Sequence, residues 1–208
     1  MLTQEKALFT PAEAAAVTQL PLKAVNNAID KKTITARTMQ KGGVRSRLVA
    51  ESALVYLSLE RELVGDTTPS FRRKLFKAIA AAPAKGVKRV AVGTLTLDVS
   101  RSWREVAQRI RDLRRAERLA GTDTDILGGV PVFRGTRIPI HMIADLLRQG
   151  KAAEKLRKGY PRLTDEMVRL APIYAGAHPL RGRPRRQSWQ GRSKGRALRV
   201  VLRDAVAS

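Results

Sequence analysis

The sequence predicts an α+β fold that is mostly helical, and three observations support this prediction. Helix-start signals recur along the chain, the first of them at Thr10-Pro11. Apolar residues are spaced three or four positions apart in the segments that follow these signals, as on one face of a helix. Short alternating runs such as Val90-Ala91-Val92 lie beside glycine, which is typical of strands in small sheets.

The charge of the chain indicates the kind of partner. Its 208 residues include 41 Lys and Arg against 18 Asp and Glu, a net charge of +23. This balance favours a polyanion or a strongly acidic protein as partner. No run is long enough to span a membrane, and the first ten residues lack the apolar core of a signal peptide, so we expect a cytoplasmic protein.

Composition also argues against several kinds of chemistry. The chain has no cysteine, which excludes disulfides and thiolate sites, and only two histidines, His141 and His178. We interpret these as a helix-start residue and a solvent-facing residue, which leaves few ligands for a metal. No nucleophile–base pair, carboxylate pair or phosphate-binding glycine loop appears, so we expect neither catalysis nor a cofactor.

Residues 1–66 predict a winged helix-turn-helix domain. Thr10-Pro11-Ala12-Glu13 has the pattern of a capping box that opens a short helix. A second helix starts near Pro21 and places Leu22, Val25, Ala28 and Ile29 on one face. Two strands then flank Gln40-Lys41-Gly42-Gly43, and a helix is expected over 51–63. Two short helices joined by a tight turn, followed by a hairpin, are a candidate DNA-binding unit.

Polar residues opposite the apolar face of the second helix are the candidate DNA contacts. Asparagine can bind adenine through two hydrogen bonds, and lysine and arginine bind phosphates. The alternative is an ordinary solvated helix face. The candidate residues on the helix and the hairpin are Lys23, Asn26, Asn27, Lys31, Lys41, Arg45 and Arg47.

This layout, with the residues Phe9-Thr10-x-x-Glu13-Ala14-Ala15, resembles the winged helix-turn-helix of MerR-type regulators. The resemblance implies DNA binding by this domain. Such DNA binders are usually dimers on palindromic sites.

Residues 67–120 predict a connecting region with a helix over 71–82, strands at 90–92 and 95–99, and a long basic helix. Ser102-Trp103-Arg104-Glu105 has the pattern of a second capping box. The strands are expected to pair with the hairpin farther along the chain. These strands and the apolar seam around Ile110 are the candidate dimer contacts. The basic face of the long helix is either solvated, in contact with phosphate, or a surface for an acidic protein.

Residues 121–177 predict a small hairpin followed by three short helices. Gly128-Gly129 permits a tight reversal with positive φ inside a hairpin over 126–140. The helices are expected over 141–149, over 152–158 and after Thr164, which is a good N-cap residue. Pro172 is expected to kink or shorten the third helix, because proline removes a backbone donor.

The motifs GGVPVFRGTRIPI, LLRQG and GYPRLTDE, with Tyr174, resemble the DUF433 family over residues 123–177. Members of that family include VapB-type antitoxins of toxin–antitoxin pairs. The resemblance implies that the partner is a PIN-domain ribonuclease toxin of the VapC type, whose active site is a cluster of carboxylates holding Mg²⁺.

Residues 178–208 are expected to form a disordered basic tail, because proline, glycine and nine cationic side chains oppose compaction. The resemblance implies that an antitoxin tail crosses the cleft of the toxin. The alternative for Arg183-Pro184-Arg185-Arg186 is an AT-hook-like arm on DNA. The candidate toxin-binding residues are Arg181, Arg183, Arg185, Arg186 and Trp189.

The leading hypothesis is therefore a non-catalytic antitoxin of a type II pair. It inhibits its cognate ribonuclease and binds its own operator DNA, as a homodimer, to regulate its own transcription. The alternative is a stand-alone DNA-binding transcriptional regulator whose tail is an electrostatic arm.

Overall fold

The computed structural model describes residues 8–41, 44–63, 65, 67–82, 89–122 and 128–180. The fold is α+β, with helices predominating and three small antiparallel sheets in these residues. The predicted disordered tail lies almost entirely outside the described residues. None of the helices in the described part of the chain is both long and apolar enough to cross a bilayer.

The N-terminal elements follow the order that the sequence predicts, apart from the first strand, which was not predicted. They are β1 (Leu8–Phe9), α1 (Pro11–Thr18), α2 (Leu22–Asp30), β2 (Ala36–Lys41), β3 (Val44–Ala50) and α3 (Glu51–Leu63). The capping box at Thr10 is confirmed, because its hydroxyl accepts from the Glu13 amide at 3.2 Å and Glu13 Oε2 accepts from the Thr10 amide at 2.7 Å. Strand β3 is central in its sheet, with β1 and β2 on either side.

The middle elements are α4 (Pro69–Ala81), β4 (Arg89–Val92), β5 (Leu95–Asp98) and α5 (Ser100–Leu119). The predicted capping box at Ser102 is wrong: α5 begins at Ser100, and Ser102 is a buried residue of its first turn. The helix begins earlier because Asp98 Oδ1 accepts from the Ser100 amide at 2.8 Å. The predicted pairing of these strands with the later hairpin is also wrong, since β4 and β5 pair with each other.

The C-terminal elements are β6 (Ala120–Gly121), β7 (Val132–Phe133), α6 (Ile140–Arg148), α7 (Ala153–Gly159) and α8 (Asp165–Ala177). Positive φ at Gly128 and Gly129 is confirmed. The hairpin forms only in part, because β7 pairs with β6 and makes a single bridge from Val132 to Pro139. Pro172 does not shorten α8, which continues through it to Ala177.

Two hydrophobic cores meet at α5 and α8. The first joins the N-terminal elements with α4, β4 and most of α5, and the second joins β7 with α6, α7 and α8. Ile173 packs against both cores. The seam of α5 faces the protein's own core, where Val106 and Leu113 are buried and Ile110 is half-buried, so it is not a free surface for a dimer.

Helix α8 lies directly against α1. A Cβ built on Gly176 would lie 3.3 Å from Cβ of Ala16, so a side chain at position 176 would require Ala16 to shift by a few tenths of an ångström. Arg109 of α5 ties the end of α1 to the same region, because its Nε donates to the Val17 carbonyl at 2.6 Å. The N-terminal elements and the α6–α8 unit are therefore held together through α1, α5 and α8.

Candidate nucleic-acid interface

Helix α2 presents a polar ridge to solvent. Val25 and Ala28 are buried, which fixes the orientation of the helix and turns Lys23, Asn27 and Lys31 outward. The ridge is also apolar at one point, because Leu22, predicted to lie on the buried face, is 43% exposed. The exposed amide and the two ammonium groups can donate hydrogen bonds to base edges or phosphates.

Asn26 and Arg47 occupy a different position from the rest of the predicted set. Arg47 of β3 donates from Nη2 to Asn26 Oδ1 at 2.8 Å and from Nη1 to Asp30 Oδ1 at 2.6 Å. Asn26 and Arg47 are both half-buried. Their interaction therefore holds α2 against the hairpin, and this pair is better suited to positioning the ridge than to contacting a ligand.

The β2–β3 hairpin extends beyond this contact. Its six residue pairs run from Ala36 and Val49 to Lys41 and Val44. Arg45 is exposed near the tip, and Lys41 is the last residue of β2. The turn itself, residues 42 and 43, lies outside the described residues.

Concave surfaces flank α2 on both sides. On one side, a groove of about 700 Å³ opens between α2, α3 and the start of α4. Asn27 and Lys31 line it together with Arg72 and Arg73 of α4. Glu60 is an acidic residue of the same groove, and burial raises the pKa of its carboxyl group. The two arginines were not predicted as site residues, although the basic run at 72–74 was their signal.

On the other side, a groove of about 580 Å³ separates α2 and β3 from the C-terminal elements. Asn26 and Arg47 line its N-terminal wall, while Pro131 and His178 line the opposite wall. Both halves of the chain therefore contribute to the surface beside α2.

A histidine cluster lies at this junction. Nε2 of the buried His141 bonds to the His178 carbonyl at 2.8 Å, and the rings of His141 and His178 both contact the ring of Tyr174. His178 is half-buried and not solvent-facing as predicted, because its Nε2 lies 3.2 Å from Glu117 Oε1. The pKa of Glu117 is lowered, and this hydrogen bond is the largest cause.

Glu13, Glu117 and His178 form the one group in the described residues that is close enough to share a metal ion, with their ligand atoms within 4.8 Å of one another. Each already has a protein partner. Glu13 caps α1, and Glu117 bonds to His178 and to Arg114 at 2.9 Å. The cluster is accounted for as a structural contact between α1, α5 and the end of α8.

The predicted toxin-binding residues lie outside the described residues. They are Arg181, Arg183, Arg185, Arg186 and Trp189. The described chain ends at Leu180, which is 45% exposed and lines the groove beside Pro131 and His178.

Comparison with known proteins places this chain in a family. Residues 121–175 match the family described as "Protein of unknown function (DUF433)". The chain is 33% identical over 187 residues to the uncharacterized protein y4eO of Sinorhizobium fredii, an alignment that covers 86% of this chain and 85% of that protein. No solved structure matches. The chain therefore belongs to the same family as y4eO, and residues 121–175 are its DUF433 domain.

Proposed function

We propose that the protein is a DNA-binding antitoxin of a type II toxin–antitoxin pair. In this proposal residues 1–66 act as a winged helix-turn-helix that binds the protein's own operator, as in MerR-type regulators. The observation that carries the DNA-binding part is the ridge of α2, where Lys23, Asn27 and Lys31 are exposed between two grooves. A ridge flanked by concave walls has the shape that a major groove and its two phosphate backbones require.

Charge supports the same part of the proposal. Arg72 and Arg73 lie across the groove from Asn27 and Lys31, where they can neutralise phosphates beside a base-reading helix. Arg47 and Asn26 then act as positioning residues, because they hold α2 against the hairpin. We place the dimer contact at β5, where Leu95 is 58% exposed, since the seam of α5 is covered by the protein's own core.

The DNA-binding proposal is tested by fluorescence anisotropy with duplex DNA from directly upstream of the protein's own gene. The double variant Asn27→Ala/Lys31→Ala removes one amide and one ammonium group from the ridge. We expect it to weaken binding about tenfold or more, since an asparagine that reads adenine is worth about 1–3 kcal/mol. The matched control, Gln149→Ala/Lys151→Ala, removes the same two groups at exposed positions after α6 and should bind like the wild type. An equal loss of DNA affinity in both double variants contradicts the proposal, and so does wild-type affinity in both.

The antitoxin part rests on the DUF433 domain together with the basic residues of 181–208. We propose that this tail inhibits a PIN-domain, VapC-like ribonuclease by pairing its arginines with the active-site carboxylates. The test is co-purification with the product of the adjacent reading frame, using the full chain and a truncation that ends at Ala177. The proposal is supported if the full chain captures and inhibits a nuclease and the truncation does not.

A different result favours the alternative function. If neither form retains a nuclease, and both bind DNA with strong salt dependence, the protein is a stand-alone transcriptional regulator. The +10 excess of residues 71–120, which carry 14 basic and 4 acidic side chains, is then part of its DNA-binding surface.

A further inference from the structure

An arginine-lined pocket lies in the DUF433 domain, away from α2. It has a volume of about 430 Å³ and opens beside β7 and the turn that follows it. Its lining includes three arginines and no acidic residue among the described ones: Gly121, Thr122, Val132, Arg134, Gly135, Thr136, Arg137 and Arg162. The three arginines are exposed, and their guanidinium groups around one concavity repel each other, a repulsion that an anion between them would relieve.

Two of the three guanidinium groups are held in place by backbone carbonyls. Arg134 donates from Nε to the Arg118 carbonyl at 3.2 Å and from Nη2 to the Ala120 carbonyl at 3.1 Å. Arg162 donates from Nη1 to the Gly135 carbonyl at 3.3 Å. The acceptors of these bonds are neutral carbonyl oxygens, which do not neutralise the positive charges. No ion pair to Arg134, Arg137 or Arg162 is formed by any acidic residue in the part of the chain that the structure describes.

The turn between the arginines has two backbone amides that donate to no described acceptor. Gly135 has φ +76°, a conformation that favours glycine. The buried Thr136 fixes the turn, since its hydroxyl donates to the Phe133 carbonyl at 2.8 Å and accepts from the Ile138 amide at 3.1 Å. The amides of Gly135 and Arg137 have no acceptor among the described residues. Backbone N–H groups around a left-handed residue form concavities that bind anions.

We propose that this pocket binds a phosphate group. A phosphate carries up to two negative charges and presents oxygens in the geometry that guanidinium groups bind through paired hydrogen bonds. The phosphate comes either from a nucleic-acid backbone or from a free phosphate or phosphorylated small molecule. The site is independent of the α2 ridge, so it holds whether or not the proposed function does.

The first arm of the test uses inorganic phosphate. We expect the amide resonances of Gly135 and Arg137 to shift in ¹⁵N NMR when phosphate is added at constant ionic strength, with chloride as the reference. The variant Arg137→Gln/Arg162→Gln should weaken phosphate binding about tenfold or more, because it removes two cationic hydrogen-bond donors from the pocket. Arg134 is left in place because it anchors β7 to the end of α5.

A matched control changes the net charge equally. Lys155→Gln/Lys158→Gln removes two positive charges from exposed positions on α7. This variant should bind phosphate like the wild type. The segment 123–127 adjoins the pocket in sequence and contains Asp123 and Asp125, so the NMR titration is made on the full chain, in which any charge from these residues is present.

The second arm distinguishes the two sources of phosphate. Anisotropy with duplex DNA is measured over a range of salt concentrations. If the pocket binds backbone phosphate, the arginine variant should lower the salt slope by about one per lost contact, relative to the lysine control. If free phosphate binds and the DNA slope is unchanged, the ligand is a free or small-molecule phosphate. If the arginine variant matches the lysine control in both arms, the proposal is overturned.

Discussion

At the scale of single residues, burial in the fold constrains the charge of His141. Its Nε2 must carry a proton, because it bonds to the His178 carbonyl, and its Nδ1 has no partner among the described residues. Burial lowers the pKa of His141, while Asp145 opposes this effect and Arg148 adds to it. The neutral imidazole is therefore the form that the fold stabilises.

This burial has a consequence for stability. Below pH of about 6.5 the unfolded chain binds a proton at His141 before the folded chain does, so the free energy of unfolding falls as the pH is lowered from 7. We expect His141→Gln, which keeps an N–H donor but does not titrate, to lose less stability between pH 7 and pH 5 than the wild type. Urea denaturation at both pH values measures this, and equal losses would contradict the assignment of a buried neutral imidazole.

Two hydroxyl side chains at helix starts are expected to behave differently. Thr10→Ala removes a cap that satisfies the Glu13 amide, and we expect a loss of about 1 kcal/mol in unfolding free energy. Ser102→Ala should change stability by less than about 0.5 kcal/mol, because Ser102 lies inside α5 and alanine favours helix. If both variants lose the same amount in urea denaturation, α5 does not start at Ser100.

Helix caps show what the sequence can predict locally. Capping at Thr10 and Thr164 is confirmed, since each hydroxyl accepts from the amide three residues later. At the start of α5, the N-cap position is Val99, whose side chain makes no cap hydrogen bond, and Asp98 Oδ1 accepts from the Ser100 amide. The spacing of a capping box therefore does not by itself locate the start of a helix.

At the scale of elements, the contact between α1 and α8 joins the N-terminal domain to the DUF433 domain. Gly176→Val places two methyl groups where a Cβ already lies 3.3 Å from Ala16. We expect a loss of about 1–3 kcal/mol in unfolding free energy from overpacking. The control is Gly159→Val at the end of α7, where a Cβ has open space around it. A Gly176 variant as stable as the Gly159 variant would show that α8 does not pack closely on α1.

Element positions were largely predictable, and element pairing was not. The strands at 90–92 and 95–99 were found within one or two residues, because alternation is a local property. The partner of β7 is β6. In this pair Val132 lies opposite Gly121, which is eleven positions earlier in the chain. Non-local pairing of two-residue strands leaves no pattern in the sequence. For the same reason the Arg47 contacts to α2, across 17 and 21 positions, were missed.

At the scale of the whole molecule, positive charge is distributed over both halves of the chain. The α2 ridge and its flanking grooves include Lys31, Arg72 and Arg73, and the DUF433 domain adds the arginine pocket. Among the described side chains, the predicted DNA set thus divides into the exposed Lys23, Asn27, Lys31 and Arg45 and the half-buried positioning pair Asn26 and Arg47. The residue types of this site were predictable, whereas their division into two roles required the structure.

The central claim is that DNA binds on α2 and the β2–β3 hairpin. The most direct measurement is hydrogen–deuterium exchange of the full chain, with and without duplex DNA from upstream of its own gene. We expect slower exchange on binding over 22–31 and 36–50, and unchanged exchange over α7. DNA binding that leaves exchange over 22–31 and 36–50 unchanged would contradict the claim.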